Sequence, residues 1–394
     1  MNLKIFTDLI EDEALNQINN LITLPAFKDC KVRIMPDVHA GAGCVIGFTA
    51  NLGNKVIPNI VGVDIGCGMR VIKLGQINLD YALVDKIIKD KVPAGFEVHN
   101  NIKDYKLNEL YCYNELKNIN HIYASLGTLG GGNHFIEIDK DSNNNKYLII
   151  HTGSRNLGKQ VADIYQQIAI DYISGKNKIK EVKQQKINEL KAEGKFQEIN
   201  EALKKINEDF ANKTPSIPKE LCYLENEDRL NYLHDMKICQ EFAIENRKQI
   251  GDIICSALGI IPLDTFESIH NYISFKDNIV RKGAISAQKG QKLIIPLNMR
   301  DGCILGIGKG NSDWNCSAPH GAGRLMSRTK ARKNIKLEDF KKSMKDVYST
   351  TVNISTIDES PFAYKPAESI IDNIQDTISI IDILKPEYNF KASD

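Results

Sequence analysis

VGVDIGCGMR, residues 61–70, runs from a glycine-studded turn into an apolar, β-rich stretch that continues as VIKL to residue 74. Gly62, Gly66 and Gly68 let the backbone fold tightly, so that Asp64 and Cys67, three residues apart, point into one space. Outward from this segment the same pattern recurs. CVIGFTA (44–50), HFIEI (134–138) and KYLII (146–150) are each bounded by glycine, asparagine or aspartate, as strands meeting tight turns should be. Residues around 11–22 and 78–90 read as helices. From about 160 to 258 the character changes. VADIYQQIAIDYI is helical, and in the charged stretch after it Phe196, Ile199, Leu203, Ile206 and Phe210 recur at steps of three and four. That is one apolar stripe on a solvated helix. With a break at Gly194, residues 176–212 form a projecting helical hairpin, and a further helix over about 225–258 leads back to the body. Strands and glycines return from 263 in NYISF, NIVRKGAISA, KLIIPL and GCILGIG, followed by the basic segment GRLMSRTKARK and a mostly helical tail. Because the glycine-rich motifs flank the helical insertion, the reading is one composite α+β domain, 1–394, with mixed sheets and flanking helices.

Composition narrows the class without deciding it. At 394 residues and 42% hydrophobic the chain can bury a substantial core. A net charge of +1 excludes a generally basic body, so any nucleic-acid site must be a local cleft. No run approaches the roughly 18 apolar residues of a spanning helix, and the acidic start is unlike a signal peptide; the expectation is a soluble, cytoplasmic protein. The nine cysteines (30, 44, 67, 112, 222, 239, 255, 303 and 316) stand singly, without a CxxC pair, which speaks against a zinc ribbon or a disulfide framework.

Five of the eight histidines, His39, His134, His151, His270 and His320, sit in short segments rich in Gly, Asn, Asp or Ser, as a converging site requires. GTLGGGNHFIEI (127–138) presents Asn133 and His134 at the start of a strand. IIHTGSRNLG (149–158) ends a strand at His151 and opens a helix beside Arg155, a natural phosphate site. SIHNYISF (268–275) supplies His270 and Asn271. A thiolate and a carboxylate with several imidazoles suit a divalent transition metal; the bland alternative is a buried cysteine in a glycine turn. In SAPHGAGRLMSRTKAR (317–332) His320 is followed by a glycine turn and arginines, which fits a nucleophile attacking phosphorus, a further metal ligand or a phosphate-binding histidine.

MPDVHAGAG, VGVDIGCGMR, GGGNHFIEI, HTGSR, HN, RKGAISA and SAPHGAGRLMSR occur in the order in which they run through the RtcB family of RNA-splicing ligases, and the resemblance spans roughly residues 33–391. It implies two Mn²⁺ ions bridged by Cys67, one completed by Asp64 and His134, the other by His151 and His270. It implies GTP as co-substrate, with His320 taking GMP as a phosphoramidate. The guanylate-binding segments would be Asn133, His134, Phe135, Ile136 and Glu137; His270 with Asn271; Pro296, Leu297, Asn298 and Met299; and His320, Gly321, Ala322 and Gly323. Lys391 matches a guanine-contacting lysine, and Tyr364 would border the base. Asp37 and His39 would lie nearer the RNA. Cys303 falls where a serine that contacts the guanylate phosphate is often found, and a cysteine is a poorer hydrogen-bond partner. The Pro-Leu-Asn-Met wording and short N-terminus are those of a divergent short branch, with damaged RNA as an alternative substrate to tRNA exons. The implied reaction joins an RNA 3′-phosphate, or a 2′,3′-cyclic phosphate once opened, to a 5′-hydroxyl through an RNA-ppG end. A monomer or weak dimer, with room for an accessory activator, is implied too. Two other readings stay open: a metal-dependent cyclic phosphodiesterase, and a non-ligating protein that binds RNA ends.

Overall fold

A computed structural model describes residues 2–392, so Met1, Ser393 and Asp394, the ends of the expected 1–394 domain, lie outside the described residues. Its strands are β1 (Asn2–Ile5), β2 (Lys31–His39), β3 (Ile46–Asn51), β4 (Gly68–Gly75), β5 (Phe135–Lys140), β6 (Lys146–Thr152) and β7 (Asp264–Ile269). They continue as β8 (Asn271–Ser274), β9 (Ile279–Lys282), β10 (Ala284–Ser286), β11 (Lys292–Asn298), β12 (Gly302–Gly308), β13 (Ser317–Pro319) and β14 (Ile378–Lys391). A seven-stranded antiparallel sheet has the order β11-β12-β14-β5-β6-β4-β7. A five-stranded sheet, β1-β2-β3-β9-β8, is mixed because β1 and β2 run parallel, and β10 pairs with β13. With the helices around them these sheets make the composite α+β domain expected from the sequence.

Alternation along the strands gives the large sheet two faces. Ile72, Ile136, Ile138, Leu148 and Ile150 pack on one side against Val84 and Ile88 of the helix Tyr81–Lys91 and Ile250 and Ile254 of the helix Asn226–Leu258. The other face carries Met69, Val71, Phe135, Ile149, Ile294, Leu305 and Leu384. Each such side chain, fully buried, is worth about 1.5–3 kcal/mol. The sheet curls until its two edges meet, where the Ile294 amide of β11 donates to Ser268 Oγ of β7 at 3.1 Å. The second face is therefore the inside of a nearly closed strand layer.

Helices Ile179–Ala192 and Ile199–Ala211 pack on each other, separated by a short turn, and their outer surfaces are mostly exposed. Ile199, Leu203, Ile206 and Phe210 of the expected stripe turn inward, while Phe196 stays 62% exposed. The tail departs from its sequence reading. Residues 328–371 do hold short helices, but Ile378–Lys391 is a strand of 14 residues in the middle of the large sheet. Pro386 obscures it, since proline cannot donate to a ladder; the chain accommodates it at a bulge, where the register with β5 shifts between Pro386 and Tyr388.

One side chain ties these parts together beneath the glycine turn at 62–67. Arg247, fully buried in the helix Asn226–Leu258, donates Nη1 to the carbonyls of Gly66 (2.8 Å) and Thr152 (2.7 Å), and Nε to Glu267 (2.7 Å). Arg247→Met is expected to cost about 3 kcal/mol in urea unfolding, because it strands two buried carbonyls and leaves Glu267 with Arg70 alone. A loss below about 0.5 kcal/mol, the range of an ordinary surface change, would refute this bracing role.

Candidate active site

Strand register lines the site up. Lys391 of β14 pairs with Phe135 of β5, Phe135 with His151 of β6, His151 with Met69 of β4, and Met69 with Ser268 of β7. This is one row across five strands, each step about 5 Å. Cys67 and His134 stand just before β4 and β5, and His270 just after β7, so the row ends in a cluster of ligand-type side chains. Backbone bonds lock the turn: Cys67 N donates to Asp64 O (3.1 Å), His270 N to Cys67 O (2.9 Å) and Gly66 N to Asn271 O (2.7 Å). Two glycines are required here. Gly66 has φ +75 with Gln240 Cα against it, and a Cβ on Gly153 would fall 2.0 Å from Asp64 Oδ1.

Within this cluster Cys67 Sγ lies 3.6 Å from His134 Nε2 and 3.4 Å from His151 Nε2. Asp64 Oδ2 is 3.0 Å from His134 Nε2, and the Nε2 atoms of His151 and His270 stand 3.3 Å apart. The donor atoms fall into two sets, Asp64–Cys67–His134 and Cys67–His151–His270, each within 4.8 Å throughout. Cys67 belongs to both. His151 Nδ1 lies 3.2 Å from Asn133 O, a carbonyl that fixes the proton on Nδ1 and turns the Nε2 lone pair inward. Burial, then the neighbouring His134, holds the His151 imidazole well below its ordinary value; burial, then His320, does the same for His270. Burial and then Asp64 push the Cys67 thiol well up. Imidazoles converging on a thiol and a carboxylate are a donor set that divalent transition ions fit.

His320 follows β13 and faces the same space, its ring centroid 4.9 Å from that of His270. Its Nδ1 lies 2.6 Å from Asp37 Oδ2, and the same oxygen accepts the amides of His320 (3.0 Å) and Gly321 (3.3 Å). Asp37 is fully buried. A carboxylate there keeps the proton on Nδ1 and leaves Nε2 as a free lone pair. His39, expected beside Asp37, lines the pocket wall, with Nδ1 3.0 Å from Asp37 O.

From His320 a pocket extends along Pro296, Leu297, Asn298 and Met299 on one wall and along Gly321, Ala322, Gly323 and Tyr364 on another. Asn133, Phe135, Glu137 and Lys391 close it, the Lys391 Nζ lying 5.2 Å from the centre of the Phe135 ring. Glu359 is held beneath by Lys391 (2.8 Å), Arg328 (2.9 Å), Arg324 (3.3 Å) and the Tyr364 hydroxyl. Burial opposes its ionisation, but Lys391, Arg328 and Arg324 prevail and pull its carboxyl down to about 2.

Four expected nucleotide contacts are placed elsewhere, the first being His134, which sits in the ligand cluster and not on the pocket wall. Ile136 lies on the helix-facing side of β5, because side chains alternate and Phe135 and Glu137 take the pocket side. Cys303 is buried inside the strand layer with Sγ 3.8 Å from Glu137 Oε1, behind the pocket wall and not on it. Asn271 braces loops, donating to Asp64 O (3.4 Å) and accepting from Gly283 N (3.0 Å). Arg324, Arg328, Glu359 and Asn389 line the pocket without having been singled out as nucleotide contacts. The arginines stood in the visible basic run; Asn389 shares a strand face with Lys391, a cue that needed β14 to be seen as a strand.

The seven-stranded curled sheet thus carries a cysteine shared between two groups of side chains that could hold a metal ion, beside a pocket lined by an aspartate-held histidine. The family model described as tRNA-splicing ligase RtcB matches residues 17–120 and 113–392. "RNA-splicing ligase RtcB" of Escherichia coli K12 is 31% identical over 420 residues, covering 95% of this chain and 93% of its own. "tRNA-splicing ligase RtcB" of Nanoarchaeum equitans is 26% identical over 468 residues, covering 93% and 89%. The chain belongs to the RtcB family.

Proposed function

We propose that the protein is a GTP-dependent RNA ligase that joins a 3′-phosphate or 2′,3′-cyclic phosphate end to a 5′-hydroxyl end, in RNA repair or tRNA splicing. The carrying observation is His320, whose Nδ1 is engaged by buried Asp37 while Nε2 is left for the pocket. Family membership and the names of the relatives support the reading.

His320 Nε2 attacks the α-phosphorus of GTP; the new P–N bond forms as the bond to the bridging oxygen breaks, and pyrophosphate leaves. Asp37 keeps the ring in the attacking tautomer and stabilises the positive charge it acquires. GMP then passes from His320 to the RNA 3′-phosphate, restoring the neutral ring, and the 5′-hydroxyl displaces GMP to close the phosphodiester. Asp64, Cys67, His134, His151 and His270 would hold two Mn²⁺ ions, which when bound supply Lewis-acid neutralisation of phosphate charge. Arg324 and Arg328, at the pocket's edge, suit a phosphate or an RNA backbone. Phe135 and Tyr364 offer faces to a base, and Glu137 and Lys391 offer an acceptor and a donor suited to the edge of guanine. No helix among the described residues is long and apolar enough to cross a membrane.

Incubation with α-labelled GTP and Mn²⁺ is expected to leave an acid-labile label on the protein, and ends of the stated kind are expected to be joined. Absence of both label and ligated product would sink the reading. Asp37→Asn, with its amide oxygen still accepting the two loop amides and the ring proton, removes the negative charge that stabilises the imidazolium formed by the attack, so the rate of labelling should fall about a hundredfold or more. An unchanged rate would remove Asp37 from the mechanism.

A further inference from the structure

Phe135, Glu137 and Asp139 share one face of β5, and the first two reach the pocket while Asp139 sits one step deeper, inside the strand layer. Asp139 is fully buried, and neither of its oxygens has a nitrogen or hydroxyl donor among the described residues; the Cys303 thiol alone stands near enough to be shared with it. What stands against it is a second carboxyl, Glu137, and the thiol of Cys303, all three within 4.8 Å of one another. Burial raises the Glu137 carboxyl to about 6, yet it is differently placed: Asn389 Nδ2 donates to its Oε2 and the Cys303 thiol to its Oε1, and Lys391 lies close enough to favour its charge. Two carboxylates in contact in a dry interior cannot both be ionised. The one with donors keeps the charge, and the one without keeps the proton.

We propose that Asp139 is a protonated positioning residue, whose carboxylic acid hydrogen-bonds to Glu137 and holds that side chain as an ionised acceptor for guanine. The proposal deepens the reading of the pocket as a GTP site and rests on it for the choice of base. Guanine presents two donors, N1–H and the 2-amino group, where adenine presents an N1 acceptor and no amino group. An acceptor-only Glu137 therefore selects guanine, whereas a Glu137 that took the proton would lose that preference. The other groups facing the pair are consistent with this placement. Glu387 of β14 adds negative charge near Asp139, Cys303 of β12 is a thiol whose ionisation burial opposes, and Tyr81 on the neighbouring helix is raised by burial and then by Glu387, to which its hydroxyl donates. Burial, then the charge of Glu137, pushes the Asp139 carboxyl well up.

The test uses the full chain. Infrared spectroscopy in H₂O and D₂O should reveal a carboxylic-acid C=O band in the wild-type protein that disappears in Asp139→Asn. Equilibrium binding of GTP and ATP is measured on the same samples. Asp139→Ala should weaken GTP binding about tenfold or more, the effect of one hydrogen bond to a charged group, and narrow the preference over ATP. Asp139→Asn, which keeps a donor without a titrating proton, should restore both. Three results would overturn the proposal: no acid band lost in Asp139→Asn, Ala and Asn variants equally defective while still folded, or a third metal ion per chain that Asp139→Asn removes. If the band is present but no guanine nucleotide binds the wild-type protein, the protonated pair stands and the GTP reading is what fails.

Discussion

His320→Ala is expected to abolish the labelled protein–GMP adduct and end joining together, a fall on the order of 10⁴-fold or more, as when a covalent nucleophile is removed. The variant should remain folded. His320 is partly exposed at the pocket wall, and Asp37 keeps the amides of residue 320 and Gly321, so the aspartate is not left bare. The histidines of the ligand cluster cannot take its place without rebuilding the site. His151 and His270 direct their Nε2 atoms at one another across the ligand cluster, and His134 directs its own at Asp64 and Cys67. Residual labelling above about 1% of wild type would mean that another side chain carries the nucleotide. If His320→Ala still joined RNA supplied with a pre-formed ppG end, that would separate the two halves of the reaction, since the final displacement uses no histidine adduct.

Cys67→Ala is expected to remove two ions at once. Its sulfur is the one atom common to both ligand sets, so the variant leaves Asp64 with His134 and His151 with His270, two donors for each ion. Loss of a merely supporting partner costs 10–100-fold in metal affinity, so each Mn²⁺ site should weaken by more than about a hundredfold. The effect also shows in stability. At 100 times its dissociation constant a bound ligand stabilises the fold by about 2.7 kcal/mol, and that Mn²⁺-dependent gain should vanish in Cys67→Ala while the metal-free stability changes little. Removal of the wild-type metals with a chelator should reproduce the variant's melting behaviour. Two Mn²⁺ ions bound to Cys67→Ala with wild-type affinity would overturn the shared-ligand assignment.

The cluster could be read from the chain because its members announce themselves locally. Cys67, His134, His151, His270 and His320 each lie in a glycine- or asparagine-bearing segment at a strand end, and the structure brings all five together. Pairings across the chain gave no such signal. Asp37 meets His320 over 283 positions, and nothing in MPDVHAGAG distinguishes an aspartate that holds a distant histidine from one nearer the RNA. Ile136 departs from its segment for a simpler reason: strand alternation sends every second side chain to the opposite face. Cys303 shows the converse. Its motif position suggested a phosphate contact, yet β12 turns its sulfur into the strand layer, toward Glu137. The hairpin at 176–212 was legible from periodicity alone, because little but its own stripe is buried there.

β14 makes assembly of this molecule a concerted event. It fills the slot between β12 and β5, so a chain ending before residue 378 presents two long open edges in what should be a continuous sheet. Such edges invite pairing with other molecules, and closing contacts between residue 135 and residue 391 demands loop closure over most of the chain before any reward arrives. Cutting the protein into autonomous halves is therefore not an option for the engineer. Segment 179–211, by contrast, contributes no strand to any of the three sheets, so it is the place where the chain accepts lengthening, shortening or a grafted module.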